Sequence, residues 1–236
     1  MSIFQKFPKE NEFDEFISTN GGSDNALTEC EYTMFYFDIV EEHLAGAIER
    51  FAQLFVSPLM LRDSMEREMQ AVESEFQNNL NDDDTRIMQL CASIANGPVA
   101  TFTWGNLKTL KENISNDDLY SAVHDFRRQH YIANRMHLAI ESSSSLDELQ
   151  KLIEENFSGV SSGPVPPALE QPKHPFKPEF FDKVFYVKPK ADKSKLFVTF
   201  LLPSMEKHYK SKPHDYISYV IQHEGVGSLT SYLKKK

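Results

Sequence analysis

Residues 32–56 read YTMFYFDIVEEHLAGAIERFAQLFV and decide the fold class. The first part, Tyr32–Val40, is aromatic and β-branched, which predicts a β-strand. The second part predicts an amphipathic helix that Pro58 ends. Its apolar stripe consists of Leu44, Ala47, Ile48, Phe51, Leu54 and Phe55. Strands and helices elsewhere are mixed without regular alternation, so the sequence predicts an α+β fold.

Further elements are predicted on both sides of this stretch. Helices are expected over residues 12–18, 63–79, 82–95, 117–131 and 144–159, and two more after residue 214. Asp117 or Asp118 is the predicted N-cap of the helix that ends at Tyr131, and Ser144 or Ser145 that of the next. Short strands are expected over residues 135–142, 183–189 and 195–203.

The proline-rich stretch Ser158–Pro178 predicts a linker. We therefore expect a first domain over residues 1–170, a linker over 158–178 and an incomplete second domain over 179–236. The chain stops within a predicted helix, at Leu233 and three lysines. This ending predicts that the sequence continues beyond residue 236.

Composition excludes several functional classes. The net charge of −10 makes nucleic acid an unlikely partner, because no basic surplus replaces its counterions. Two cysteines, Cys30 and Cys91, predict no disulfide framework and a reducing compartment. The sequence has neither a signal peptide nor an apolar stretch of about 18 residues. We expect a soluble, cytoplasmic chain without a membrane partner.

The sequence lacks the common hydrolase and nucleotide-binding motifs. It also contains neither of the zinc-binding motifs H-x-x-E-H and H-E-x-x-H. Asp82–Asp84 lack the spacing of a calcium loop and predict a solvated turn. Glu68 and Glu75 share one face of the predicted helix, almost two turns apart. Carboxylates on a partly apolar stripe are paired, metal-bound or protonated if they are buried. From spacing alone, an acidic face turned to water is the favoured explanation.

Four stretches together resemble a known family. They are PKENEFDEFISTNGGSDNALTECEYTMFYFDI (8–39), REMQAVESEFQNN (67–79), TWGNLKTL (103–110) and HDYISYVIQHEGVGS (214–228). They are similar to the M16 (inverzincin) zinc metallopeptidases of the insulin-degrading enzyme and nardilysin branch, and resemble nardilysin most. The resemblance runs over essentially the whole chain. It implies an M16-like α+β domain, with a mostly antiparallel sheet and packed helices, followed by the start of a second homologous domain.

The resemblance also implies roles for particular residues. In the family, an H-x-x-E-H helix supplies two zinc-binding histidines and the general base, and a distant glutamate completes the zinc shell. Glu75 matches that metal ligand, and Glu68 matches the carboxylate that orients a ligand histidine. Gly21–Leu27 matches the edge strand on which a peptide substrate adds as an extra strand. Asn25 and Ala26 match the positions that contact the substrate backbone.

One departure from the family pattern bears on activity. The H-x-x-E-H motif should end at or slightly before Met1, and residues 1–7 contain no histidine. Zinc needs three protein ligands, so a chain with Glu75 alone should bind little zinc and be inactive by itself. Two interpretations remain open. The chain is either part of a zinc endopeptidase, completed by the missing remainder or a partner half, or a truncated, non-catalytic peptide-binding or scaffold relative.

Overall fold

A computed structural model describes residues 4–29, 31–101, 104–165, 167 and 172–235. It divides the chain into two compact units, Met1–Ala191 and Asp192–Lys236. Cys30 and part of the predicted linker, at positions 166 and 168–171, lie outside the described residues. The domain boundaries that the sequence suggests therefore stay a prediction.

The elements of each unit are as follows. Unit 1 contains α1 (Glu12–Thr19), β1 (Ser23–Thr28), β2 (Thr33–Asp38), α2 (Leu44–Val56), α3 (Arg62–Asn79), α4 (Asp83–Ser93), α5 (Leu107–Lys111), α6 (Asn116–His130) and α7 (Leu146–Phe157). Unit 2 contains α8 (Pro213–Gln222) and α9 (Leu229–Leu233). No helix in the described part of the chain combines the length and apolar character needed to cross a bilayer.

An aromatic core joins β2 to α2, as residues 32–56 predict. The ring centroids of Phe37 and Phe51 lie 5.0 Å apart, and those of Phe35 and Phe55 lie 5.5 Å apart. The ring centroid of Phe13 on α1 lies 5.7 Å from that of Phe37 and 5.6 Å from that of Phe51. Edge-to-face ring pairs of this kind add to the free energy gained by burying the rings. The strand, α1 and α2 thus form one packed layer.

The two strands form an antiparallel ribbon in which Asn25 faces Tyr36 and Ala26 faces Phe35. Within the described residues, β1 pairs with β2 alone. One edge of β1 therefore presents backbone groups that no further strand pairs. Helices around an antiparallel ribbon confirm the α+β fold class.

Three strand predictions are wrong. Residues 135–142, 183–189 and 195–203 contain no strand, although we expected one in each from their sequences. A strand exists only where a neighbour supplies the hydrogen-bonded ladder. Within the described residues, none of these stretches joins a ladder of strands. Composition predicts an extended backbone but cannot supply the neighbour.

Helix caps correct two further predictions. Ser115, and neither Asp117 nor Asp118, caps α6, because its Oγ accepts the N–H of Asp118 at 3.1 Å. Ser145 caps α7 as predicted, in a reciprocal capping box with Glu148. Asp82–Asp84 is not a solvated turn: Asp82 accepts the N–H of Thr85 at 2.7 Å and so caps α4.

Candidate functional site

Helix α3 carries both predicted site carboxylates on its exposed side. Met69 follows Glu68 directly, lies about 100° around the helix from it, and is buried, with 5% exposed. Glu68 and Glu75 are both exposed and lie almost two helical turns apart, which separates their backbones by about 10 Å. The structure thus places them on one helix, as the sequence predicts, without bringing their carboxylates together.

Glu68 lies on the wall of a groove of about 350 Å³ between α3 and α6. Apart from Glu68, Ser64, Tyr120 and His124, the lining is aliphatic and consists of Met60, Leu61, Met65, Met69, Val72, Leu110, Leu119 and Val123. The Nε2 atom of His124 is buried there without a hydrogen-bond partner. The ring of His124 lies 4.5 Å from that of Tyr120, one turn away on α6.

Glu73, between the two candidates in sequence, has a different task. Its Oε2 accepts the backbone N–H of Leu107 at 2.8 Å, and its Oε1 accepts Nε2 of Gln77 at 2.7 Å. These hydrogen bonds, that of Leu107 first, hold the pKa of Glu73 below its usual value. Glu73 therefore fastens the start of α5 to α3. Nothing in the sequence signals this role, because the partner lies 34 residues away.

The described residues do not fit a zinc ion by themselves. Across the described ranges, no three His, Cys, Asp or Glu side chains come close enough to hold a metal. A catalytic zinc takes three protein ligands and a water. Glu75 could supply one of these ligands, and the remaining ligands would have to come from outside the described residues.

The predicted peptide-binding residues lie on β1, where Ser23–Ala26 are exposed. Oδ1 of Asn25 accepts the N–H of Ala26 at 2.8 Å. An incoming peptide strand would replace this bond at the open edge. Burial, and then the nearby carboxylate of Asp14, raise the pKa of Asp24 on the same strand. The backbone N–H and C=O groups at this edge are suited to pairing with an extended backbone.

Tight turns place β1 where it is. Gly21 has a φ of +72°, a conformation that glycine adopts without strain. The N–H of Gly22 bonds the carbonyl of Ile17 at 2.9 Å, and a Cβ at Gly22 would lie 2.2 Å from the carbonyl oxygen of Asp38. The double glycine thus lets α1 run directly into β1 against the end of β2.

Arg50 of α2 fixes α1 and the segment before it. Its guanidinium carbon lies 4.0 Å from the ring centroid of Phe16 and 4.6 Å from that of Phe7. It also bonds Oε1 of Glu12 at 3.1 Å and the carbonyl of Gly46 at 3.0 Å. Only 17% of the Arg50 side chain and 23% of the Glu12 side chain are exposed. Sequence reasoning missed this cluster, since it depends on tertiary contacts.

Two family models match this chain. Insulinase (peptidase family M16) matches residues 3–97, and the peptidase M16 inactive domain matches residues 118–236. The second match alone covers just over half of the chain. The two matches together leave little of the chain unassigned.

Individual relatives agree with the family models. Nardilysin of Rattus norvegicus is 40% identical over an alignment of 236 positions that covers 98% of this chain and 20% of the relative. Insulin-degrading enzyme of Homo sapiens is also 40% identical, over 98% of this chain and 23% of the relative. A crystal structure of pitrilysin superposes on this chain with a TM-score of 0.75 at 26% identity. The superposition covers 99% of this chain and 25% of the pitrilysin chain.

The chain thus spans about a fifth to a quarter of the length of these relatives. The similarity is continuous, since it reaches from unit 1 into unit 2. Family models, sequence relatives and a solved structure all give the same assignment. The chain belongs to peptidase family M16, in the branch of nardilysin and insulin-degrading enzyme.

Proposed function

We propose that these 236 residues are part of a zinc metalloendopeptidase of the nardilysin and insulin-degrading enzyme type, which hydrolyses bonds in small peptides. In this proposal Glu75 is the carboxylate ligand of zinc, and Glu68 orients a ligand histidine that another segment supplies. Asn25 and Ala26 bind the backbone of the substrate. The 236 residues alone are inactive.

The observation that carries the proposal is the open edge of β1. A peptide that adds there gains main-chain hydrogen bonds that do not depend on its side chains. The N–H of Ala26 bonds a side chain rather than a third strand, so this position exchanges one hydrogen bond for another when a peptide arrives. This chemistry suits a peptidase that accepts many sequences.

The carboxylates of α3 give secondary support. Glu75 is exposed, and among the described residues its carboxylate accepts no hydrogen bond, whereas that of Glu73 holds the N–H of Leu107. Glu68 lies beside a groove with room for another segment. These positions match what a metal ligand and its orienting carboxylate need, with the remaining ligands supplied from elsewhere.

A second candidate function follows from the metal result. No group of metal-binding side chains assembles within the described ranges. This observation also agrees with a non-catalytic relative that binds peptides on β1 or acts as a scaffold. Both candidates share the edge strand. They differ in whether Glu75 matters for chemistry.

The test compares kcat/KM of the native polypeptide that carries these residues with its Glu75→Gln, Glu68→Ala and Glu66→Gln variants, on a quenched fluorescent peptide. Glu75→Gln should lower kcat/KM by more than about 100-fold, and Glu68→Ala by about 10–100-fold. Glu66→Gln, a matched change on the same helix, should have little effect. The 236-residue chain alone should not cleave the peptide.

Equal activity of wild type and Glu75→Gln would refute the ligand assignment. A native polypeptide that binds the peptide but never cleaves it, with or without added zinc, would favour the non-catalytic relative. A Glu68→Ala variant with unchanged kcat/KM would remove the orienting role alone.

A further inference from the structure

Residues 172–177 do not behave as a free linker, because they lie against the end of α4. Asn96 donates its backbone N–H to the carbonyl of Pro175 at 2.9 Å and its Nδ2 to the carbonyl of His174 at 2.8 Å. Lys177 returns a bond from its N–H to the carbonyl of Ile94 at 3.1 Å. Ala95 and Phe176 form an antiparallel bridge, and Ala95 is 2% exposed.

A second attachment lies at the other end of α4. The carboxylate of Asp83 accepts the backbone N–H of Lys190 at 2.9 Å and that of Ala191 at 3.1 Å. Arg86, one turn along α4, bonds the same carboxylate at 2.6 Å and reaches the carbonyl of Lys188 at 3.3 Å. Only 16% of the Asp83 side chain is exposed.

The two attachments bind opposite ends of one helix. α4 has 11 residues and is therefore about 16 Å long. Twelve residues lie between Lys177 and Lys190, and the thirteen residue-to-residue steps could span about 43 Å when extended. The stretch between the attachments is thus slack, and its ends are fixed by the hydrogen bonds rather than by tension.

We propose that residues 172–191 form a strap along α4, in which Asp83 is the latch for residues 188–191. Loss of the latch frees those residues, at the last part of unit 1, while the attachment at residues 174–177 persists. The strap is a conformational device of the fold and does not depend on the peptidase proposal.

The chemistry of the latch supports this role. A carboxylate that accepts backbone N–H groups makes charge-assisted bonds, which are stronger than neutral ones. The amides of Lys190 and Ala191, followed by Arg86, hold the pKa of Asp83 below its usual value, so it is ionised at neutral pH. Removal of the carboxylate leaves both amides without this acceptor, whereas the bonds of Asn96 are untouched.

Trypsin provides a direct test, since the Lys190–Ala191 bond lies in the latched segment and Lys188 precedes Pro189. The native polypeptide and the variants Asp83→Ala, Asp83→Asn and Asp147→Ala are digested briefly, and the cleavage sites are found by mass spectrometry. Asp147→Ala is the matched control, because Asp147 also lies in the first turn of a helix. Cleavage after Lys190 should be about tenfold faster in Asp83→Ala, intermediate in Asp83→Asn and unchanged in Asp147→Ala.

Hydrogen exchange distinguishes loss of the latch from a general weakening of α4 in Asp83→Ala. The amides of Lys190 and Ala191 should exchange about tenfold faster in the variant, while that of Lys177 keeps its wild-type rate. Equal rates at residues 190 and 191 in wild type and variant would overturn the latch. Faster exchange at Lys177 to the same degree would show general loosening of α4 and would also overturn it.

Discussion

Three glutamates of α3 show how closely spaced carboxylates take different tasks. Glu73 is committed to the fold through the N–H of Leu107, Glu68 borders the groove and Glu75 stays exposed. The sequence shows that Glu68 and Glu75 share a helical face, because helical spacing is local. It does not show the task of Glu73, since Leu107 is distant in sequence. The candidate roles of Glu68 and Glu75 came from resemblance and remain predictions.

Glu73 makes a testable pH prediction. Its folded pKa is lowered, so its contribution to stability is present above the unfolded pKa and is lost as pH falls through the folded pKa. Glu73→Gln should therefore speed hydrogen exchange of the Leu107 amide at pH 7, and the difference from wild type should shrink as the pH falls below the ordinary pKa of a glutamate carboxyl. Glu75→Gln is the matched control and should leave that amide unchanged. If the Leu107 amide still exchanged faster in Glu73→Gln than in wild type at low pH, this account would be contradicted.

At the scale of elements, helices were predictable and most strands were not. The spacing of apolar residues gave α1, α2, α3, α4 and α7 within a few residues of their ends. Ser115 was missed as a cap because two acidic residues with equal capping ability follow it. The predictions of strands at residues 135–142, 183–189 and 195–203 were wrong, because strand pairing depends on a partner that local sequence does not specify.

The packing of α1 on α2 depends on Arg50. Arg50→Ala removes the contacts with two rings, Glu12 and the carbonyl of Gly46, and should lower the free energy of unfolding by about 1–3 kcal/mol. Urea denaturation followed by circular dichroism measures this change. Arg128→Ala removes an exposed pair with Asp125 and should cost at most about 0.5 kcal/mol. Equal effects of the two variants would show that burial of Arg50 contributes nothing.

The open edge of β1 predicts the behaviour of a proline variant. Ala26→Pro removes the N–H that bonds Asn25, and proline is tolerated on an edge strand whose N–H faces outward. The variant of the native polypeptide should keep its free energy of unfolding within about 1 kcal/mol of wild type and raise KM for a peptide substrate about tenfold. Its control, Ser143→Pro, also removes one backbone N–H, which bonds Glu41, but in an exposed loop outside β1. Unchanged KM in Ala26→Pro would place substrate binding elsewhere.

At the scale of the molecule, the chain carries an open strand edge, which we propose binds peptide, and one candidate metal ligand, but no assembled metal site in its described ranges. Sequence alone gave the fold class and the family, because apolar spacing and four long motifs are spread along the chain. It could not give the strap along α4, whose latch joins residues 107 positions apart. The proposed catalytic function depends on ligands that complete the metal site from outside the described residues, and local sequence patterns do not specify these ligands.

Zinc content measures that completion most directly. The native polypeptide, its Glu75→Gln variant and the 236-residue chain are loaded with zinc, dialysed and analysed by mass spectrometry of the metal. We predict about one zinc per native polypeptide, and less than about a tenth of that for both Glu75→Gln and the 236-residue chain. A full zinc content in the Glu75→Gln variant, or in the 236-residue chain alone, would contradict the account.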